Sequence, residues 1–109
     1  MEQRATDRQS TPAFTVHFRP TLSSAPHLEG TGVLQDLSMF GCRIESSVTM
    51  LPNISVTLDI EVPNWDSPVT IEVARVQWVN GQVFGLGAFQ ISEKESDRLQ
   101  RVIRGLVEG

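Results

Sequence analysis

Cysteine is nearly absent. Cys42 is the only one in 109 residues, so no disulfide can form within the chain, which fits a reducing compartment. Basic charge is also scarce. Nine Lys and Arg against 13 Asp and Glu give a formal charge of −4. Broad binding to nucleic acid needs the opposite, a basic surface that displaces counterions from phosphate. A phosphate ligand would therefore have to be held by local basic groups. No run approaches the roughly 18 apolar residues of a membrane-spanning helix. The leading Met1-Glu2-Gln3-Arg4 lacks the apolar segment of a secretory signal, and the expectation is a cytoplasmic protein with no membrane span. Histidine is limited to His17 and His27. With one thiol and two imidazoles the chain offers no metal-ligand spacing, and no nucleophile elbow surrounds any serine. The expectation is no metal, no cofactor and no catalytic residue.

A β pattern dominates what remains. Apolar residues make up 39% of the chain, enough for the core of one small domain. Phe14, Val16 and Phe18 alternate with Thr15 and His17, the period-2 signature of a half-buried strand, with His17 on the polar face. Residues 30–37 and 42–46 read as further strands, Cys42 and Ile44 facing one way and Arg43 and Glu45 the other. Ile54, Val56, Leu58, Ile60 and Val62 give the cleanest alternation. In the next strand Val69, Ile71 and Val73 are in phase, but Val76 and Trp78 are not. One extra residue near Ala74-Arg75 predicts a β-bulge, the device that lets a small barrel turn a corner. The alternation places Trp78 in the interior. Asn80-Gly81 predicts a type I′ hairpin turn, and residues 83–89 return, with Gly85 and Gly87 marking close approach of backbone or the curvature of the barrel.

The end is helical, over about residues 92–107. Ser92 and Glu95 form a capping-box pair, and Leu99, Val102, Ile103, Leu106 and Val107 fall on one stripe. The fold class is all-β: a small six-stranded antiparallel barrel with a C-terminal amphipathic helix. Residues 1–12 are polar and aperiodic and read as a flexible arm; residues 13–109 form the domain.

Two short segments are not needed by a barrel. In Asp36-Leu37-Ser38-Met39-Phe40-Gly41, a strand carries an acid and a hydroxyl two residues apart, on one face, and then a glycine. A carboxylate can accept from the N1 and N2 edge of guanine, a hydroxyl can donate or accept beside it, and glycine keeps a Cβ away from the ligand. Turn formation alone would also account for all three residues. In Arg4-Ala5-Thr6-Asp7-Arg8, two guanidiniums four residues apart can close on a phosphate and stack on a purine; a solvated charged tail is the plainer reading.

Taken together, Arg4-x-x-x-Arg8, Asp36-x-Ser38-x-x-Gly41, the "GCRIES" segment, the "VARVQWVNGQVFGLGAF" hairpin and the terminal helix resemble the PilZ domain of bacteria over nearly the whole chain. The resemblance implies a receptor for the second messenger cyclic di-GMP that changes conformation on binding and signals to a downstream protein, with no chemistry of its own. It implies that Arg4 and Arg8 clasp the ligand's phosphates and stack on guanine, and that Asp36, Ser38 and Gly41 frame one guanine. Many relatives carry a further Arg just before the pair, where this chain has Gln3; this favours one ligand over a stacked pair. The alternative is a ligand-independent PilZ-like module of pilus assembly or motility, whose members usually lack the arginine pair. A barrel for single-stranded nucleic acid is a third reading, disfavoured by the acidic charge.

Overall fold

The computed structural model describes residues 9–10, 14–21 and 26–108. The strands are β1 (Gln9–Ser10), β2 (Thr15–Pro20), β3 (Gly30–Leu37), β4 (Gly41–Glu45), β5 (Ser55–Ile60), β6 (Val69–Asn80) and β7 (Val83–Gln90), followed by the helix α1 (Glu93–Glu108). The six longer strands pair antiparallel in the order β3-β2-β5-β6-β7-β4, and β4 returns to β3. That closure is the expected six-stranded barrel, and it removes the open edges that invite aggregation. Within the expected arm, β1 continues along the edge of β3 that β2 occupies, pairing Gln9 with Leu37 and Ser10 with Asp36.

The alternation read from sequence fills the interior. Val16, Phe18, Val56, Leu58 and Ile60 are almost completely buried. Phe18 meets Phe84 edge to face, with ring centroids 5.4 Å apart, a favoured arrangement of aromatic quadrupoles. The bulge in β6 is present. Ile71 and Ala74 face Leu58 and Val56, so β6 holds one residue more than β5 over that interval, and Ala74 rather than Val73 takes the buried place. A second irregularity falls between Val76 and Trp78, and it overturns one expectation. The phase slips again, so Trp78 leaves the interior and is 42% exposed. Its indole lies over Gly85, where a Cβ would sit 2.2 Å from Nε1. Gly85 and Gly87 are thus overlain by the side chains of Trp78 and Gln77, not by backbone.

The hairpin turn also differs from expectation. Asn80 pairs with Val83, so the two central residues are Gly81 and Gln82. Gly81 has φ 63°, and positive φ at the first central position alone is the type II′ pattern.

Helix α1 starts as its sequence requires, with the Glu95 amide donating to Ser92 Oγ at 3.2 Å. The reciprocal half of the capping box does not form. The Glu95 carboxylate instead accepts from the Thr70 amide of β6 at 2.9 Å and pairs with Arg98 at 2.9 Å. Arg98 donates to the carbonyls of Ser67 and Pro68 and lies over the Trp65 ring, 5.2 Å from its centroid. One face of the helix buries Leu99 and Val102 in the barrel core. Among the described residues, no helix is long and apolar enough to cross a membrane.

Candidate ligand site

The second motif lies where β3 gives way to β4. A register shift between Leu34 and Asp36 makes Gln35 the extra residue, and Asp36 and Leu37 are then both buried despite being neighbours. Asp36 stands opposite Arg43, and their side chains form an ion pair of 2.9 Å, the carboxylate 7% and the guanidinium 43% exposed. Opposite charges facing one another across a ladder are the sheet's usual stabilising pair. Burying the acid without such a partner would be costly.

Ser38 lies just outside the strand, so its direction follows from a tight turn rather than from strand alternation. Its amide donates to the Gly41 carbonyl at 2.9 Å. Its hydroxyl accepts from the amides of Phe40 at 3.1 Å and Gly41 at 3.2 Å, the local bonding that makes serine a turn former. Phe40, at the tip, is 84% exposed.

Gly41 is not in the positive-φ region. Its requirement is steric: it pairs with Gly87 across β4 and β7, and a Cβ on Gly41 would lie 2.6 Å from the Leu86 carbonyl oxygen. The glycine that the motif assigns to ligand clearance is demanded by the barrel itself. Gly41→Ala is therefore expected to destabilise the domain by about 1–3 kcal/mol, the usual cost of forcing atoms into a packed site. Gly105→Ala in α1, where a Cβ meets nothing within 4 Å, should stabilise by up to about 1 kcal/mol. Urea unfolding of the two variants checks the contrast; an unchanged midpoint for Gly41→Ala would show that the Leu86 carbonyl yields freely.

Ser38, Phe40, Gly41, Arg43, Trp78 and Gly85 line a cleft of about 220 Å³ between this turn and the β6–β7 hairpin. Its floor is the glycine-bearing stretch of β7, its rim is the indole of Trp78 and the ring of Phe40, and its cation is Arg43. Of the five residues singled out from sequence, Ser38 and Gly41 line the cleft and Asp36 lies beneath it, joined to Arg43. Arg4 and Arg8 fall outside the described residues. Sequence reasoning missed Arg43, Phe40 and Trp78. The first was legible in principle as an outward position of its strand; the third was hidden by the second β6 irregularity.

A larger concavity, about 610 Å³, separates the β5–β6 loop from α1 and is lined by Trp65, Asp66, Glu95 and Arg98 among others. Asp36, Ser38 and Gly41 do not border it, and Glu95 and Arg98 are spent on anchoring the helix.

No family model matches this sequence, and no curated protein does. Solved structures do. The PilZ domain of CeSA from a cellulose-synthesising bacterium superposes with a TM-score of 0.68 at 16% identity, over 93% of this chain and 98% of that one. The Bacillus subtilis inhibitor of motility (MotI/DgrA) gives a TM-score of 0.68 at 18% identity over 99% of this chain, which spans 53% of that protein. An uncharacterised Legionella protein gives 0.60 at 15% identity, with 93% and 94% covered. At such identities the likeness is one of architecture: a closed six-stranded antiparallel barrel carrying one C-terminal helix, which is the fold of a PilZ domain.

Proposed function

We propose that this domain is a receptor for cyclic di-GMP that does no chemistry and signals through a protein partner. One observation carries the reading: β1 pairs Ser10 with Asp36. β1 thus joins the barrel beside the acid of the second motif, and in sequence Arg8 directly precedes Gln9, its first residue. Cyclic di-GMP carries two phosphates and two purines. Arg4 and Arg8 supply forks for phosphate and faces for guanine, and the turn of Ser38 and Gly41 with its cleft receives one base.

The response follows from the same placement. β1 also lies against α1. A ligand that gathers the leading segment onto Asp36 acts beside β1, which touches both β3 and the helix, and alters the surface offered to a partner. Holding that segment costs roughly 1–2 kcal/mol per residue fixed, which charge-assisted bonds and stacking have to exceed.

The test is thermal unfolding with and without nucleotide. Cyclic di-GMP at 100 times its Kd adds about 2.7 kcal/mol, which raises the Tm of a domain this size by roughly 10 °C; GMP and cyclic di-AMP should shift it far less. A melting curve unmoved by millimolar cyclic di-GMP would remove the receptor reading.

A further inference from the structure

The geometry points to Arg43 as the residue that reads the base, with Asp36 as its positioning residue. This inference rests on the receptor reading above and adds to it a contact outside both motifs. Three observations carry it. Arg43 lines the cleft, and Asp36 does not. The Asp36 carboxylate is buried and holds Arg43 at 2.9 Å, which fixes one side of the guanidinium. And, among the described residues, Arg43 Nε is buried with no hydrogen-bond partner, although nearly every buried N–H in a folded protein has an acceptor. A guanidinium pinned by one nitrogen, with further donors left over beside a cleft, is a preorganised donor site.

The chemistry of the site selects its occupant. Arg has five N–H donors and no acceptor. A guanine presents two acceptors side by side, O6 and N7, which match the planar fork, and this is the commonest base-specific contact that arginine makes. Adenine has a donor, its N6 amino group, in place of O6, and would set N–H against N–H. The rings of Trp78 and Phe40 at the rim add faces for stacking, an interaction that tolerates any base. Arg43 therefore adds selection for guanine over adenine at the O6 and N7 edge, and Asp36 keeps that fork in place.

Calorimetric titration of the full chain tests this with two ligands, cyclic di-GMP and its analogue with guanine N7 replaced by C–H, on wild type, Arg43→Gln and Arg43→Lys. Wild type should bind the analogue about tenfold more weakly, since one bidentate base contact accounts for roughly tenfold to a hundredfold in affinity. Arg43→Gln should bind cyclic di-GMP that much more weakly and show no further loss with the analogue. Arg43→Lys keeps a charge beside Asp36 but loses the fork, and should behave like Arg43→Gln. A purely structural Arg43 would lower the Tm and leave the ratio between the two ligands as in wild type, which overturns the proposal. So would a wild type that binds both ligands equally. A wild type that binds neither overturns the receptor reading itself, a different outcome from tight binding that ignores Arg43.

Discussion

Cyclic di-GMP affinity should fall by about a hundredfold or more when Arg4 or Arg8 is replaced by alanine, while the unfolding midpoint without ligand should stay where it was. The size follows from the bonds removed. Each hydrogen bond to a charged group contributes about 1.5–3 kcal/mol, and a fork on phosphate makes two. Stacking on a base adds about 1–3 kcal/mol. Even the lower bounds together exceed the roughly 2.7 kcal/mol that a hundredfold change represents. The unchanged midpoint is expected because the buried core of the described residues runs from Phe14 to Val102 and the barrel is complete within them. Arg8→Lys separates charge from shape. Lysine keeps the attraction to phosphate but has neither the fork nor the flat face, so it should fall between wild type and Arg8→Ala. The double variant should be little worse than either single one, because residues that act as one clasp are not additive. Titration calorimetry on wild type and the four variants decides it. Wild-type heats and affinity in both alanine variants would show that these arginines do not hold the ligand, whatever the cleft does.

The parts of the fold that were legible in sequence are those governed by period. The alternation around Val56, Leu58 and Ile60 placed a strand and its buried face correctly, because a one-residue slip would have turned all three to solvent. The helix was legible from its cap and its stripe, since Ser92 does receive the Glu95 amide. What failed was whatever depended on a neighbouring strand. Trp78 was assigned inward by counting along β6, but the count breaks at a second irregularity visible only in the pairing with β7. The side chain of Glu95 went to Thr70, 25 residues away, and no local rule anticipates that. For the site, Ser38 and Gly41 line the cleft, and each also has a structural part in the turn that the motif does not state. The Ser38 hydroxyl is engaged in its own turn, and Gly41 is fixed by the Leu86 carbonyl. Both are needed to build the turn that walls the cleft, so a motif read as ligand chemistry is in part a statement about how β3 turns into β4. Arg43 escaped notice because an arginine on the outward face of a strand looks like solvation until the residue opposite it is known to be a buried acid.

Phe84→Ala should cost the domain about 3–5 kcal/mol, the usual range for deleting a buried aromatic ring. Phe84 is fully buried. It faces Ile44 of β4 and Val79 of β6 in the ladder and meets Phe18 of β2 edge to face, so the cavity left behind would be bounded by several strands that cannot all close on it. A domain of this size has only about 5–15 kcal/mol in total, and the variant gives up a large share of it. Urea unfolding should show the midpoint falling with the slope unchanged, because the same surface is exposed on unfolding. Phe40→Ala is the control: the same chemical change at a ring that is 84% exposed should stay within about 0.5 kcal/mol of wild type. The variant also separates fold from site. Phe84 immediately precedes Gly85, which lines the cleft from the opposite face of β7. If the backbone of β7 holds its course without the ring, cyclic di-GMP at 100 times its Kd still returns about 2.7 kcal/mol, and the variant's melting curve rises with ligand as the wild type's does. A Phe84→Ala protein that folds but no longer gains from the ligand would show that the ring sets the course of β7 under the cleft, and that the core and the binding surface are one mechanical unit. A loss below about 1 kcal/mol would show instead that Phe18 and Ile44 close over the space, and that this barrel is softer than its buried rings suggest.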